Sequence, residues 1–520
     1  TGTIARATYD IKKEVGISTK ESLKSIFASD KVAFPLQMAT LAISEPTNFG
    51  EIIQVFKKDC SELSIGEDIE FRNPFDGSVI NRKYYKINNI ASNLPFIKQE
   101  DLKKLNPEIQ NKINKLLNEK FSKKDKLNEK SDLYAYLPFT FWDILSENGR
   151  LGIIVSNSWL GTDWGEKFKK FLTRFYKLDY VLTSSTGRWF QNADVVTNIV
   201  ILTKREFLID KLPNTEKTKF ITISHDFLDD SNHENIREIY QNIITNTLDK
   251  RFKVEEYSTE EILSEPLNWN TLFSDISWIK QINKKLIFCS TLFEIKRGAR
   301  RGWDDMFYPS SNHGIEQDFI KPVLKSSRDI DSLTSIAESE AFCCSLSIEE
   351  LSQKGNTGAI AWINKFKYGF NEVGKPLPEV LKIKNGYWYT MHDTEMADFV
   401  TSVNPDKRIF ISRLNEKSFV NQRLIRFTSL KSDTDLELSH ALLNSLMGIF
   451  FIEALGFGRG LGALDLSSNR MKKYFRMLNP SLLTDSQIKE IKNKFALFKN
   501  RDVQNIRIEL NDSIRKDFDL

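Results

Sequence analysis

Ile87-Asn88-Asn89-Ile90-Ala91-Ser92-Asn93-Leu94-Pro95-Phe96 is the stretch on which the fold turns. Ile87–Ala91 has the length and apolar character of a strand, and it runs straight into a segment that cannot continue as one. Pro95 drives Leu94 away from helix towards an extended conformation and so fixes where the Leu94 carbonyl points. Asn93 adds a side-chain carbonyl acceptor and Phe96 a flat apolar face. Two acceptors beside an aromatic plate suit an exocyclic amino group on a planar ring, and such chemistry needs neither a metal nor a strong base. The other reading is a plain loop after a strand, where Asn-x-Pro is common.

Outward from this stretch the first 205 residues alternate strands and helices. Ser25–Asp30 and Ile52–Phe56 read as strands followed by acids, Asp30 and Asp59. Leu151–Val155, Tyr180–Leu182 and Val195–Thr203 read as further strands. Asp132–Leu145 reads as helix, kinked or restarted by Pro138. The lysine-rich Lys103–Lys130 reads as solvated helices or loop. This order predicts an α/β fold with a mostly parallel sheet and helices on both faces. Ligands of such sheets sit at the carboxyl ends of the strands, where Gly2, Asp30, Asp59 and Asn93 all fall. Each carboxylate alone is equally a helix cap or a turn former.

Residues 206–275 loosen into polar connections and are expected to be a linker. Residues 276–520 are expected to form a second, mixed α/β domain rich in aromatics, with Ile276–Thr291 at helical spacing and Tyr387–Thr390 and Arg408–Ile411 as β-like runs. Lys296, Arg297, Arg300 and Arg301 cluster around glycines beside Trp303, and Arg459 lies among the glycines of Gly456–Gly462. Both features read either as solvated surface charge or as phosphate contacts.

Composition sets the outer limits. The chain has 520 residues, 40% of them hydrophobic and 28% charged, which excludes global disorder and collagen-like repeats. No apolar run approaches the ~18 residues of a membrane span. Four cysteines and five histidines show neither metal-ligand spacing nor a disulfide framework, which points to a reducing, cytoplasmic setting. The 74 basic and 70 acidic residues leave a net charge of +4, too balanced to name a partner. The opening Thr1-Gly2-Thr3-Ile4-Ala5, a glycine turn entering a helix without a strand before it, is expected to belong to a chain whose upstream part lies elsewhere.

These motifs together resemble the amino-group adenine DNA methyltransferases of restriction-modification and phage-defence systems, especially the single-chain type IIG group. The resemblance spans about residues 1–205. Asn93-Leu94-Pro95-Phe96 stands where that family has an Asp/Asn/Ser-Pro-Pro-Tyr/Phe motif after its fourth strand, with Leu94 in place of the first proline. Thr1, Gly2 and Thr3 resemble the tail of the S-adenosylmethionine glycine motif, Asp30 the acid on the ribose hydroxyls, and Asp59 the acid on the cofactor's adenine. Asp132–Tyr136 and Gly149–Leu160 resemble the helix and strand after the catalytic loop. Trp189–Thr197 resembles the motif whose aromatic stacks on an extruded adenine, which points to Phe190. The family's first strand and opening glycine have no counterpart.

The resemblance implies a Rossmann-like class I methyltransferase domain, S-adenosylmethionine as cofactor, catalysis by Asn93, Leu94, Pro95 and Phe96, and base stacking by Phe96 and Phe190. Residues 292–325 resemble, more loosely, the start of type IIG target-recognition domains. That implies double-stranded DNA as partner, held by Lys296, Arg297, Arg300, Arg301, Trp303 and Arg459, with a nuclease region upstream or in a partner subunit. The rival expectation is a non-catalytic DNA-recognition module serving a partner enzyme.

Overall fold

The structure, a computed structural model, describes residues 2–499 except 74, 107, 122–125, 186–187, 191–194, 209–212, 214, 225–232, 266, 300–301, 331, 406–408 and 459–463. The chain divides into two compact units, Thr1–Asp275 and Ile276–Leu520.

In the first unit, β1 (Ala28–Asp30) and β2 (Val55–Lys57) form a short parallel pair. β3 (Asp68–Arg72) and β4 (Val79–Lys83) form a hairpin, turned at Gly77 with φ 71°. A six-stranded sheet holds the rest. Its strands are β5 (Ile87–Asn93), β6 (Leu145–Ser156), β7 (Tyr176–Ser184), β8 (Thr197–Lys204), β9 (Lys217–Ile223) and β10 (Phe252–Ser258), in the spatial order β10-β9-β7-β8-β6-β5.

This sheet is mixed, not mostly parallel. β5 with β6 and β7 with β9 run parallel, but β8 enters antiparallel between β6 and β7, and β10 pairs antiparallel with β9. β7 and β8 are consecutive in the chain and pair antiparallel, and the described residues between them include no helix.

Residues 206–275 are not a linker. They supply β9 and β10, and Phe220 of β9 is fully buried with its ring against Tyr257, Trp269 and Phe273. Alternation along the strands sorts side chains to two faces. Leu151, Ile153, Val155, Val181, Val200, Leu202 and Phe220 are buried on one face. Helices Leu137–Ile144 and Asp163–Phe175 pack on β6 and β7 and bring Phe139, Phe168, Phe171 and Phe175 into the core. Pro138 sits in the first turn of the former helix, where its missing N–H costs nothing. On the opposite face, helix His233–Thr245 sets Ile239 and Ile243 against Ile221 and Ile223, with Tyr180 and Leu182 packed alongside.

The second unit is built on a sheet whose strands are β12 (Phe293–Arg297), β13 (Ile320–Leu324), β14 (Thr334–Ser335), β15 (Ser339–Phe342), β16 (Ala397–Ser402), β17 (Ser412–Val420) and β18 (Leu424–Ser429). Ahead of it, β11 (Leu286–Phe288) pairs with Arg476–Leu478. The helical spacing over Ile276–Thr291 is realised only at Ser277–Ile282, because β11 interrupts it. Tyr387–Thr390 is a turn, not a strand. It is held by the Tyr387 amide donating to Thr390 Oγ1 at 2.8 Å. In the run 408–411, Ile409–Ile411 is not strand and Arg408 lies outside the described residues.

No single described helix is long and apolar enough to cross a membrane. The bent pair Leu436–Leu443 and Leu446–Leu455 passes by length and composition, but most of its apolar residues are buried in the second unit.

Candidate active site

β5 is an edge strand, and Asn93 is its last residue, in register with Ile154 of β6. The residues after it split inward and outward. Leu94 is 1% exposed and its amide donates to the Ile154 carbonyl at 3.1 Å, while Asn93 and Pro95 are exposed and Phe96 is half-buried. Leu94 thus anchors the tetrapeptide and leaves the Asn93 side chain open to a ligand.

The same end of the sheet collects the end of β6 and the start of β8. Ser156 is in register with Thr197, and the Asn157 amide donates to the Val196 carbonyl at 2.9 Å. Phe190, half-buried, belongs to the segment leading into β8, and its neighbour Trp189 packs on the Ile221 cluster. Among the described residues the Phe96 and Phe190 rings contact no other ring, each other included. The residues that follow Phe190 in its motif, 191–194, lie outside the described residues.

Beneath the tetrapeptide is a polar network that motif reading had left without a role. Tyr134 Oη and Ser158 Oγ lie 2.8 Å apart, Ser156 Oγ lies 2.8 Å from Ser158 Oγ, and Ser156 Oγ donates to Tyr134 Oη at 3.0 Å. Ser158 also donates to Asp132 Oδ2 at 3.5 Å. Burial pushes the Asp132 carboxyl up to about 6, against the downward pull of the Gln99 amide and the Ser158 hydroxyl. The Tyr134 phenol, also buried, is pushed far above its ordinary value. The signal for this network was the spacing Ser156-Asn157-Ser158 directly after an apolar strand.

The candidate cofactor residues stand on the other short sheet. Gly2 has φ 87° and precedes helix Thr3–Glu14. A Cβ there would lie 2.6 Å from Ala39 Cα, so only glycine lets this turn reach helix Ala33–Ile43. Asp30 accepts the Val32 amide at 2.9 Å through Oδ1, and Asp59 accepts the Ser61 amide at 2.9 Å and hydroxyl at 2.7 Å through Oδ1. The turn-forming role is therefore realised at both acids, yet each keeps its second oxygen without a partner among the described residues. Register brings the ends of β1 and β2 together, and the thiol of Cys60 is pushed up to about 11 by burial and by both acids. Each acid thus has one acceptor oxygen left for a ligand at this end of the β1–β2 pair. Thr1 lies outside the described residues and Thr3 opens the helix.

In the second unit Lys296 is tied to Glu294 at 2.5 Å, and Glu294 also pairs with the buried Arg426 at 2.9 Å. Burial alone would raise the Glu294 carboxyl, but Lys296 and Arg426 outweigh it and hold it low. Arg297 is exposed at the end of β12. Gly298 does not make room for a phosphate. A Cβ there would lie 2.2 Å from the Asn421 carbonyl, so the glycine lets this segment pack on the β17–β18 turn. Trp303 is half-buried on the unit's core and lines a cleft of about 470 Å³ with Gly302, Asp304, Asp305, Asn421 and Gln422. The cleft beside the basic segment is thus acidic and amide-rich. Arg300, Arg301 and Arg459 lie outside the described residues.

Residues 40–190 match the Eco57I restriction-modification methylase family. That stretch carries Asp59, the tetrapeptide, the Asp132 network and Phe190, and the methylase region implies S-adenosylmethionine as methyl donor. The chain is similar to curated Type II methyltransferases. It is 21% identical to the Type II methyltransferase M.AccI of Acinetobacter calcoaceticus over 96% of this chain and 83% of that protein. It is 28% identical to the Type II methyltransferase M.BstVI of Geobacillus stearothermophilus, over 21% of this chain and 17% of that protein. In fold, the methylase region and the second unit are similar to the type IIL restriction-modification enzyme MmeI, solved in complex with DNA, with TM-score 0.52 and 12% identity over 100% of this chain and 68% of that one. Against the type IIG restriction endonuclease BpuSI the TM-score is 0.41 at 13% identity, over 95% of this chain and 57% of that one.

Proposed function

We propose that the chain transfers a methyl group from S-adenosylmethionine to the exocyclic amino group of adenine in a specific double-stranded DNA sequence, by base flipping, as part of a restriction-modification or phage-defence system. The observation that carries this reading is the posture of Asn93-Leu94-Pro95-Phe96, with Leu94 bonded inward to β6 and Asn93 exposed at the carboxyl end of β5. Asn93 Oδ1 and the Leu94 carbonyl accept the two amino hydrogens and turn the nitrogen lone pair away from the loop. Phe96 and Phe190 flank the base, whose extrusion costs a few kcal/mol. Gly2, Asp30 and Asp59 hold the donor, which supplies an electrophilic methyl group when bound. The chain's own contribution is then positioning and acceptor electrostatics. Lys296, Arg297, Arg300, Arg301, Trp303 and Arg459 contact the DNA.

Asn93→Ala tests the reading. Loss of methyl transfer with duplex affinity retained supports it, and transfer at the wild-type rate contradicts it. One observation favours the rival, a DNA-recognition module for a partner enzyme: β1 and β2, which bear both candidate donor acids, pair only with each other among the described residues. Saturable binding of S-adenosylmethionine to the full chain decides against the rival.

A further inference from the structure

The loop after Asn93 lacks the family's first proline, and the structure shows what restrains it instead. Its entry is held by the Leu94 amide on Ile154. Its exit is held from the Asp132 segment: the Leu133 amide donates to the Ile97 carbonyl at 3.0 Å, and the Asp132 carboxylate accepts the Gln99 amide. Gln99 opens helix Gln99–Leu105, whose preceding residue, Lys98, makes no side-chain cap, so Asp132 satisfies an amide that would otherwise be orphaned. Through Ser158 the same carboxylate reaches the Tyr134–Ser156 network at the end of β6.

We infer that Asp132 is a positioning residue for methyl transfer, bridging the exit of the Asn93–Phe96 loop to the end of β6; the inference rests on the reading of that loop as the amino-group acceptor. An ionised carboxylate accepts charge-assisted hydrogen bonds, roughly twice as strong as neutral ones. Protonation gives up part of that hold. The groups facing the carboxylate are Lys98, which pulls its titration down, Glu100, which pushes it up, and the hydroxyls of Tyr134 and Ser158. Because burial lifts the carboxyl to about 6 from 3.8, its ionised form costs the folded state stability at neutral pH, and that cost is lost as pH falls from about 6 to 3.8.

The test uses the full chain with Asp132→Ala and Asp132→Asn. The alanine variant is expected to lose about ten- to a hundredfold in kcat, the scale of a small misplacement of the reacting groups. The KM values should stay within about twofold, because only the transition state feels the loss. Asparagine keeps one neutral oxygen for Gln99, as the protonated acid does, so its kcat should lie between those of the alanine variant and the wild type and show no fall below pH 6. Amide exchange of residues 96–99 should quicken in the alanine variant and stay slow in the asparagine variant. Wild-type kcat or unchanged exchange in Asp132→Ala, or an intact acid limb in Asp132→Asn, overturns the inference. A wild-type chain without methyl transfer sinks the functional reading instead, and exchange then still decides the clamp.

Discussion

Leu94 makes a bond that proline cannot make. Its amide donates to the Ile154 carbonyl, and its side chain is buried where β5 meets β6. Leu94→Pro would restore the usual motif of the family that the tetrapeptide resembles, yet it removes this donor. Losing one such hydrogen bond costs about 1 kcal/mol, with more if the carbonyl is left unsatisfied. Thermal unfolding should show a lower Tm for the variant, and an unchanged or higher Tm would contradict the anchoring role. An extended Leu94 could be expected from Pro95, which acts on it locally, but its amide hydrogen bond to Ile154 could not. Nor could the Asp132 network, because its members come from two segments that meet only in the folded sheet. The glycine at 298 misled for a related reason: its neighbour in space is the Asn421 backbone, more than a hundred positions away.

At the level of elements, β6, β7 and β8 could be read from their apolar runs, because they are buried on at least one face. β9 and β10 could not. Their charged residues, Lys217, Lys219, Glu255 and Glu256, resemble the polar connections on either side, and only pairing with β7 draws Phe220 and Ile221 inward. The β3–β4 hairpin was equally hidden, although Asp76-Gly77 is a strong turn signal. Phe220→Ala separates a strand from a linker. In a packed core the change costs about 3–5 kcal/mol. Chemical denaturation of the full chain should register a destabilisation of that size in the first unit, and a variant as stable as the wild type would contradict the burial of β9.

For the whole molecule, a net charge of +4 says little, and the distribution matters more. Lys296 is already neutralised by Glu294, whereas Arg297 stands exposed. If the second unit contacts phosphates, Arg297→Ala should weaken duplex binding across sequences and reduce the salt slope by about 1, with Lys296→Ala doing less. Equal losses from the two, or none from Arg297→Ala, would contradict that assignment. The start of the second unit at 276 matches the segment expected there, whereas the assignment of 206–275 to the first unit and the acidic cleft at Trp303 were not legible. Asn421 and Gln422 join Asp304 and Asp305 there only because Gly298 admits the β17–β18 turn.

The most direct measurement is nucleoside analysis of duplex DNA after incubation of the full chain with methyl-labelled S-adenosylmethionine. The account predicts label in N6-methyladenine with the wild-type chain and none with Asn93→Ala. Label in a cytosine, equal label with both chains, or none with the wild type would contradict it.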